Sequence, residues 1–485
     1  MKIAEKLLCF VFVLIGVCFS SCNDNDKLTK EQKLNKYVTH WIYNEMDTYY
    51  LWRTHLPKKP NYNLNPKDFF NSICYWYDKN TNPDGDRFSV ILENYDELMD
   101  MLSGISYDEI GFEFYLYQIS DEDVIGEIQY VKKNTPAQRA ELRRGQFFSK
   151  INGVSLNISN YYDLLINLKG SYTITLHDVT LEDGVLSPLN SIEKSLNTVS
   201  NYAENPIFLD TIYTISDKNI GYLVYNFFAG GPNDESMQYD IELANVISKL
   251  QQNGVDNMIV DLRYNSGGSM LSSAYLASML VKNRSARNVF LKAEYNDILT
   301  QLFLYYEGED AFYSYFTDTI TSAHPLPTIG DGLKKLVFLT GPNTASASEM
   351  VINGLKPYND ITLLGDITIG KNVGSIPIPD EENANNKWGI LPIIAKFYNS
   401  QNKSDFTAGF VPDILDQDDY YPKYNLGDTR ESLLKKAIEH ITGRPLFSLK
   451  SSGIEPKRAS MRPVDSSISK KVWTNKIIMP NIFTN

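Results

Sequence analysis

The chain has 485 residues, 43% of them hydrophobic and 22% charged, with a formal net charge of −13. That length allows two or three domains, each able to bury its own core. The acidic balance argues against nucleic acid as a partner, because no basic surface offsets it against a phosphate backbone.

Lys2 and Lys6 precede an apolar run from Leu7 to Phe19, 13 residues long. This is the length of a signal-peptide core and is short for a membrane span. The run ends in Phe19-Ser-Ser-Cys22, followed by Asn23-Asp-Asn-Asp26. Small residues before a cysteine, directly after an apolar core, resemble a bacterial lipobox. The resemblance implies cleavage before Cys22 and lipidation of that residue; an ordinary secretory cleavage site near a cysteine is the alternative. The expectation is a signal peptide over 1–21, a polar tether over 22–33, and a lipid anchor placing the chain in the cell envelope, at an outer membrane, on its periplasmic or surface face. Cys9 and Cys18 would be removed and Cys22 acylated, so only Cys74 would remain and no intramolecular disulfide could form.

Residues 34–103 are read as a small helical region. Val38, Trp41, Ile42, Met46, Tyr49 and Tyr50 recur at helical spacing. Asn65-Pro66 opens a second helix, with proline where its missing N–H costs nothing. No chemistry is assigned to this region, which ends near the turn Asp84-Gly-Asp86. Residues 104–180 resemble a PDZ module: Gly111-Phe-Glu-Phe114 stands where such domains hold a peptide C-terminus on backbone amides, so Gly111, Phe112, Glu113 and Phe114 are the implied peptide-binding residues. Glu141 and Gln146 depart from the usual glycine and aspartate of that module. Residues 181–210 show no clear period and read as a connection.

From 211 to 445 strands and helices alternate. Strands are expected at 220–225, 257–262, 335–340 and 361–364, and helices at 237–250, 270–281, 346–356 and 430–441. This predicts an α/β core with a mostly parallel sheet and helical crossovers. The tail, 446–485, is polar and basic, and is expected to pack loosely.

Three phrases in this core make sense only together: Asp261-Leu-Arg-Tyr-Asn-Ser-Gly-Gly268, Thr344-Ala-Ser-Ala-Ser-Glu349 and Gly365-Asp-Ile-Thr-Ile-Gly-Lys371. A glycine turn, a serine opening a helix and a lone lysine on a turn are the parts of a serine–lysine hydrolase. The phrases resemble the core of the carboxyl-terminal processing, or tail-specific, serine peptidases. That resemblance implies a crotonase/ClpP-like fold with Ser346 as nucleophile and Lys371 as general base. Glu349 would lie near the pair, and the backbone N–H of Ala347 with one from Gly267 or Gly268 would form the oxyanion hole. Lysine is a poor base at its ordinary pKa of ~10.4, and burial among Ile367, Ile369 and Val373 would favour its neutral form.

Bland readings compete with these. Ser346-x-x-Glu349 also spells a capping box, and the glycines also suit a tight β-to-α turn. Asp261 and Arg263 read as braces of the turn. Gly365 to Lys371 nearly spells a phosphate-binding loop, but Asn372 replaces its hydroxyl. The five histidines (His40, His55, His177, His324 and His440) form no zinc-binding pair, so neither metal nor cofactor is expected. The resulting expectation is a lipid-anchored serine endopeptidase acting on protein or peptide substrates at their C-terminal regions. Its oligomeric state and any activating partner stay open. The alternative is a catalytically silent peptide- or ligand-binding lipoprotein on the same fold.

Overall fold

The computed structural model describes residues 28–102, 105–106, 108–166, 168–182, 185–233, 236–446, 457–458, 461–468 and 476–478. The expected signal segment and Cys22 lie outside these. The N-terminal region begins with helix α1 (Lys30–Tyr49), capped by Thr29 and Gln32 in a reciprocal box that the sequence reading missed by assigning residues up to 33 to a tether. Helix α2 (Pro66–Ile73) starts at Asn65, whose side chain accepts the Asp68 N–H at 2.9 Å. Strand β1 (Val90–Leu92) and helix α3 (Tyr95–Leu102) follow.

An antiparallel domain comes next: β2 (Phe112–Gln118), β3 (Val124–Val131), β4 (Phe147–Ile151), helix α4 (Tyr161–Ile166), β5 (Ser171–Glu182) and β6 (Val185–Asn197). It has its own core, centred on Phe112, Ile128, Phe148 and Ile174. Strands β5 and β6 form a long hairpin through the stretch expected to be an irregular connection. Its residues beyond Asn190 are largely exposed, so no hydrophobic alternation advertises the strand.

The α/β core runs through β7 (Ile207–Ile215), β8 (Lys218–Tyr225), α5 (Gln238–Gln252), β9 (Asn257–Asp261), β10 (Gly267–Ser269), α6 (Met270–Leu280), β11 (Val289–Tyr295), β12 (Tyr313–Tyr315), β13 (Lys335–Thr340), α7 (Ala347–Leu355), β14 (Ile361–Gly365), β15 (Val373–Ser375), β16 (Gly389–Leu391), β17 (Ile393–Tyr398), β18 (Ile414–Leu415) and α8 (Ser432–Thr442). One sheet has the order β7-β8-β9-β13-β14-β18, antiparallel at β7–β8 and parallel at every later pairing. Strands β9 and β13 are buried on both faces, hence their unbroken apolar runs. Strand β1 pairs with β16, joining the N-terminal region to this core.

The last segment does not pack loosely throughout. Strand β19 (Arg462–Ser466) adds antiparallel to the β2 edge, and Ile468 is buried against Tyr130 and Tyr264. Strand β20 (Lys476–Ile478) lies in a second sheet of order β10-β20-β15-β17-β11-β12. Short edge additions carry few residues, too few for a period to show in the sequence.

Candidate active site

Parallel strands β9, β13 and β14 end at the same side, and the three phrases follow their C-terminal ends. After β9 the chain turns through Asn265. Its side chain donates to Tyr225 O at 2.8 Å and accepts the Gly267 N–H at 2.9 Å, while its carbonyl accepts the Ala345 N–H at 3.2 Å and the Ser348 hydroxyl at 3.0 Å. This asparagine therefore ties the glycine turn to the serine turn, a role the sequence reading did not give it.

Ser346 precedes α7 with φ 62° and ψ −118°, a conformation that costs a residue with a Cβ of order 1–3 kcal/mol. Its Oγ is buried without a hydrogen-bond partner, whereas Ser348 spends its hydroxyl on Asn265. Of the two serines, only Ser346 holds a strained backbone and an uncommitted oxygen. Ala347 opens the helix, at a position whose N–H has no acceptor within the helix.

Lys371 is fully buried. One carboxylate joins its turn to the serine turn. Glu349 Oε2 accepts the backbone N–H of both Ser346 and Lys371 at 2.8 Å, and Oε1 accepts the Gly370 N–H at 2.7 Å and the Thr368 hydroxyl at 2.5 Å. Burial raises the Glu349 pKa above the usual range, and these four donors pull against that rise. Glu349 is thus a positioning residue: it grips the backbones of both turns. The other half of the lysine's setting comes from the N-terminal region. Arg87 donates to Gly370 O at 2.8 Å, and the Lys371 Nζ stands 5.0 Å from the centre of the Phe88 ring. The region assigned no chemistry therefore walls the site. No local signal marks Arg87 or Phe88 beyond their place after the Asp84-Gly-Asp86 turn.

The two glycines expected at the oxyanion hole differ in the direction of their N–H groups. The Gly267 N–H is already donated to Asn265, so it does not face a substrate. Gly268 has φ 130°, and a Cβ there would meet Phe228 O at 2.1 Å, so no other residue fits. Phe228 donates to Gly267 O and accepts the Ser269 N–H, which turns the Gly268 N–H to the opposite side. The Gly268 N–H thus points away from Phe228, toward β20, and the Ala347 N–H stands at the start of α7. Arg263 braces the turn from below, donating to Asp261 at 2.8 Å and to Glu431 at 2.7 Å.

Gly111 to Phe114 lie far from this cluster in the chain, on the antiparallel domain. The Gly111 N–H is donated to Glu109 at 2.8 Å and the Phe114 N–H to Ser467 Oγ at 2.8 Å. Glu109, Glu113 and Glu204 all contact the buried Lys132 ammonium, at 2.5, 2.8 and 3.2 Å. Burial alone would lower the lysine's pKa, yet the three carboxylates hold it well above the usual range. Three acids on one cation leave this loop acidic, and an acidic loop disfavours a further carboxylate.

Residues 219–415 match the family described as Peptidase family S41, and residues 37–90 its N-terminal domain, together just over half of the chain. The carboxyl-terminal-processing protease of Synechocystis is 21% identical over 338 residues, 70% of each chain. The carboxy-terminal processing protease CtpA of Bacillus subtilis is 24% identical over 283 residues, 57% of this chain and 52% of that one, so this chain spans only about half of that relative. The crystal structure of an S41 protease from Bacteroides fragilis, described as putative, superposes with a TM-score of 0.68 at 25% identity, over 83% of this chain and 97% of that one. The family matches and these relatives show a serine-type peptidase. The chain belongs to peptidase family S41.

Proposed function

We propose that the chain is an endopeptidase in which Ser346 attacks the peptide carbonyl and Lys371 is the general base. Neutral Lys371 takes the serine proton during attack, returns it to the leaving amine, and repeats the cycle with water to release the acyl-enzyme. The N–H groups of Gly268 and Ala347 stabilise the oxyanion. The observation that carries this reading is the single oxygen of Glu349 bridging the amides of Ser346 and Lys371, which brings the two turns together. The core is read as crotonase-like and the antiparallel domain as PDZ-like.

Substrates are proteins or peptides cut in C-terminal regions, in keeping with what the Synechocystis and Bacillus relatives are named for. The acidic Gly111–Phe114 loop disfavours capture of a free carboxylate, and recognition through strand addition at the β2 edge would require β19 to leave it. A lipid on Cys22 would tether the enzyme to the envelope, and Cys22→Ala would then shift it from the membrane to the soluble fraction. The direct test is turnover of an unstructured protein by the wild type beside Ser346→Ala and Lys371→Arg. Both variants are expected to be inactive, since a guanidinium keeps its proton near neutrality. Activity in either one overturns the assignment.

A further inference from the structure

Strand β20 occupies an unusual place. Gly267, Gly268 and Ser269 pair in parallel with Lys476, Ile477 and Ile478, and Ser375 pairs with Ile478 on the other side. The segment thus runs between the oxyanion glycine and the strand that begins two residues after Lys371. Strands β10 and β15 do not pair with each other; β20 fills the gap between them. The Gly268 N–H faces this gap, as the geometry around Phe228 requires. A peptide substrate must present its scissile bond to Ser346 in this same channel, as an extended strand.

The same stretch of chain also covers the other proposed contact surface. Strand β19 adds to β2 with Arg462 opposite Gln118 and Ser466 opposite Tyr115. Ser467 secures it, donating to Glu113 at 2.5 Å and accepting the Phe114 N–H at 2.8 Å. Its residues wall two cavities, of about 200 Å³ against α4 and about 980 Å³ against the core. Strand β19 is thus a layer laid over open space as well as an edge.

We propose that strands β19 and β20 are an intramolecular occupant of the substrate track. β19 sits on the PDZ-like edge and β20 in the catalytic channel, and substrate must displace β20 to be cut. The inference rests on the reading of Ser346 and Lys371 as the catalytic pair. Docking of β19 holds β20 near the channel at an effective concentration in the millimolar range, so three residues of strand pairing suffice to compete. An occupant of this kind raises KM and leaves kcat alone, because it blocks binding and takes no part in the chemistry.

The test uses the full chain carrying Ile477→Pro, which removes one strand N–H and disfavours pairing on both sides of the channel. The expected result is a KM for an unstructured protein lowered on the order of tenfold with kcat unchanged. Ile477→Val, which keeps the strand N–H, serves as the control and is expected to match the wild type. An unchanged or raised KM in Ile477→Pro overturns the proposal. A second measurement needs no turnover: a labelled peptide of residues 470–485 is titrated by fluorescence anisotropy against Ser346→Ala shortened after residue 469 and against full-length Ser346→Ala. Binding to the shortened chain, and at least tenfold weaker binding to the full-length one, supports the proposal; equal affinity for both, or none for either, overturns it. If no form turns over protein yet this difference in binding is seen, the peptidase reading fails and the occupant stands.

Discussion

At the scale of single residues, the site stores its strain in Ser346. A φ of 62° in a residue with a Cβ is tolerated only because the surroundings fix it: the Glu349 carboxylate grips its amide, and the helix behind it is wholly buried. Substituting that residue therefore separates chemistry from stability. Ser346→Ala and Ser346→Gly should both be inactive, but the glycine variant should be more stable than the alanine one by about 1 kcal/mol, since glycine adopts positive φ freely. Urea unfolding of the two variants measures this, and an alanine variant as stable as the glycine one would show the backbone there to be unstrained. Ser348→Ala gives the complementary result. It loses one hydrogen bond to Asn265 O, costing about 1 kcal/mol, and should keep its activity. If Ser348→Ala is the inactive variant and Ser346→Ala cleaves protein, the nucleophile has been misplaced by two residues.

At the scale of elements, helices α5 and α6 meet around a buried acid. Asp240, in the first turn of α5, accepts the Ser272 hydroxyl at 3.1 Å, and its other oxygen is buried without a partner. Desolvation pushes its pKa up to about 7 from the ordinary 3.8, so burial outweighs the help of the helix N-terminus. An acid with a raised folded-state pKa contributes full stability below its unfolded pKa and loses it as pH rises. The wild type should therefore weaken between pH ~4 and ~7, by roughly 4 kcal/mol if the whole shift is realised. Asp240→Asn keeps the shape without the charge, so its unfolding midpoint should lack that decline. Parallel declines in both proteins would assign the pH dependence to other groups. Elements of this kind were readable in advance: β13 runs from Lys335 to Thr340 and α6 starts at Met270, where the apolar pattern places them. The hairpin β5–β6 and strands β19 and β20 were not, because exposed or three-residue strands carry no burial pattern. Of the candidate site, the three phrases pointed to Ser346, Lys371 and either Gly267 or Gly268 through turn chemistry, without choosing between the glycines. Arg87, Phe88 and Asn265 act through contacts made in space, where spacing along the chain gives no cue.

At the scale of the whole molecule, the antiparallel domain and the α/β core are locked by a buried charge network that includes Arg263, in the turn that carries Gly267 and Gly268. Arg144, from the antiparallel domain, bonds the Asp418 carboxylate, the Tyr264 hydroxyl and the carbonyls of Tyr424 and Gln129. Asp418 also faces Arg263 at 3.4 Å, and Arg263 in turn holds Glu431, whose side chain caps α8 by accepting the Leu434 N–H at 2.9 Å. Burial on its own would raise the carboxyl pKa of Asp418 and of Glu431. The neighbouring Arg144, Arg263 and Lys423 outweigh it and hold Asp418 well below the usual carboxylate range; Arg263 and Arg144 hold Glu431 down too. Depressed carboxylates contribute stability above their unfolded pKa values and lose it as pH falls through the folded ones. The joint between the domains should thus hold at pH 5 and weaken below ~4, where the unfolded chain binds protons that the folded one refuses. Arg144→Met isolates this joint, since methionine fills much of the same space without charge. It leaves Asp418 short of one cation and strands polar groups of Gln129 and Tyr424, so the expected cost is about 3 kcal/mol. Because the network spans both domains, the loss should also decouple them. Urea unfolding should change from one transition to two, and the loss of stability on acidification should become shallower than in the wild type. A single transition with an unchanged midpoint would show that the domains are joined by their apolar contacts, and that the network only orients Arg263 beneath the glycine turn.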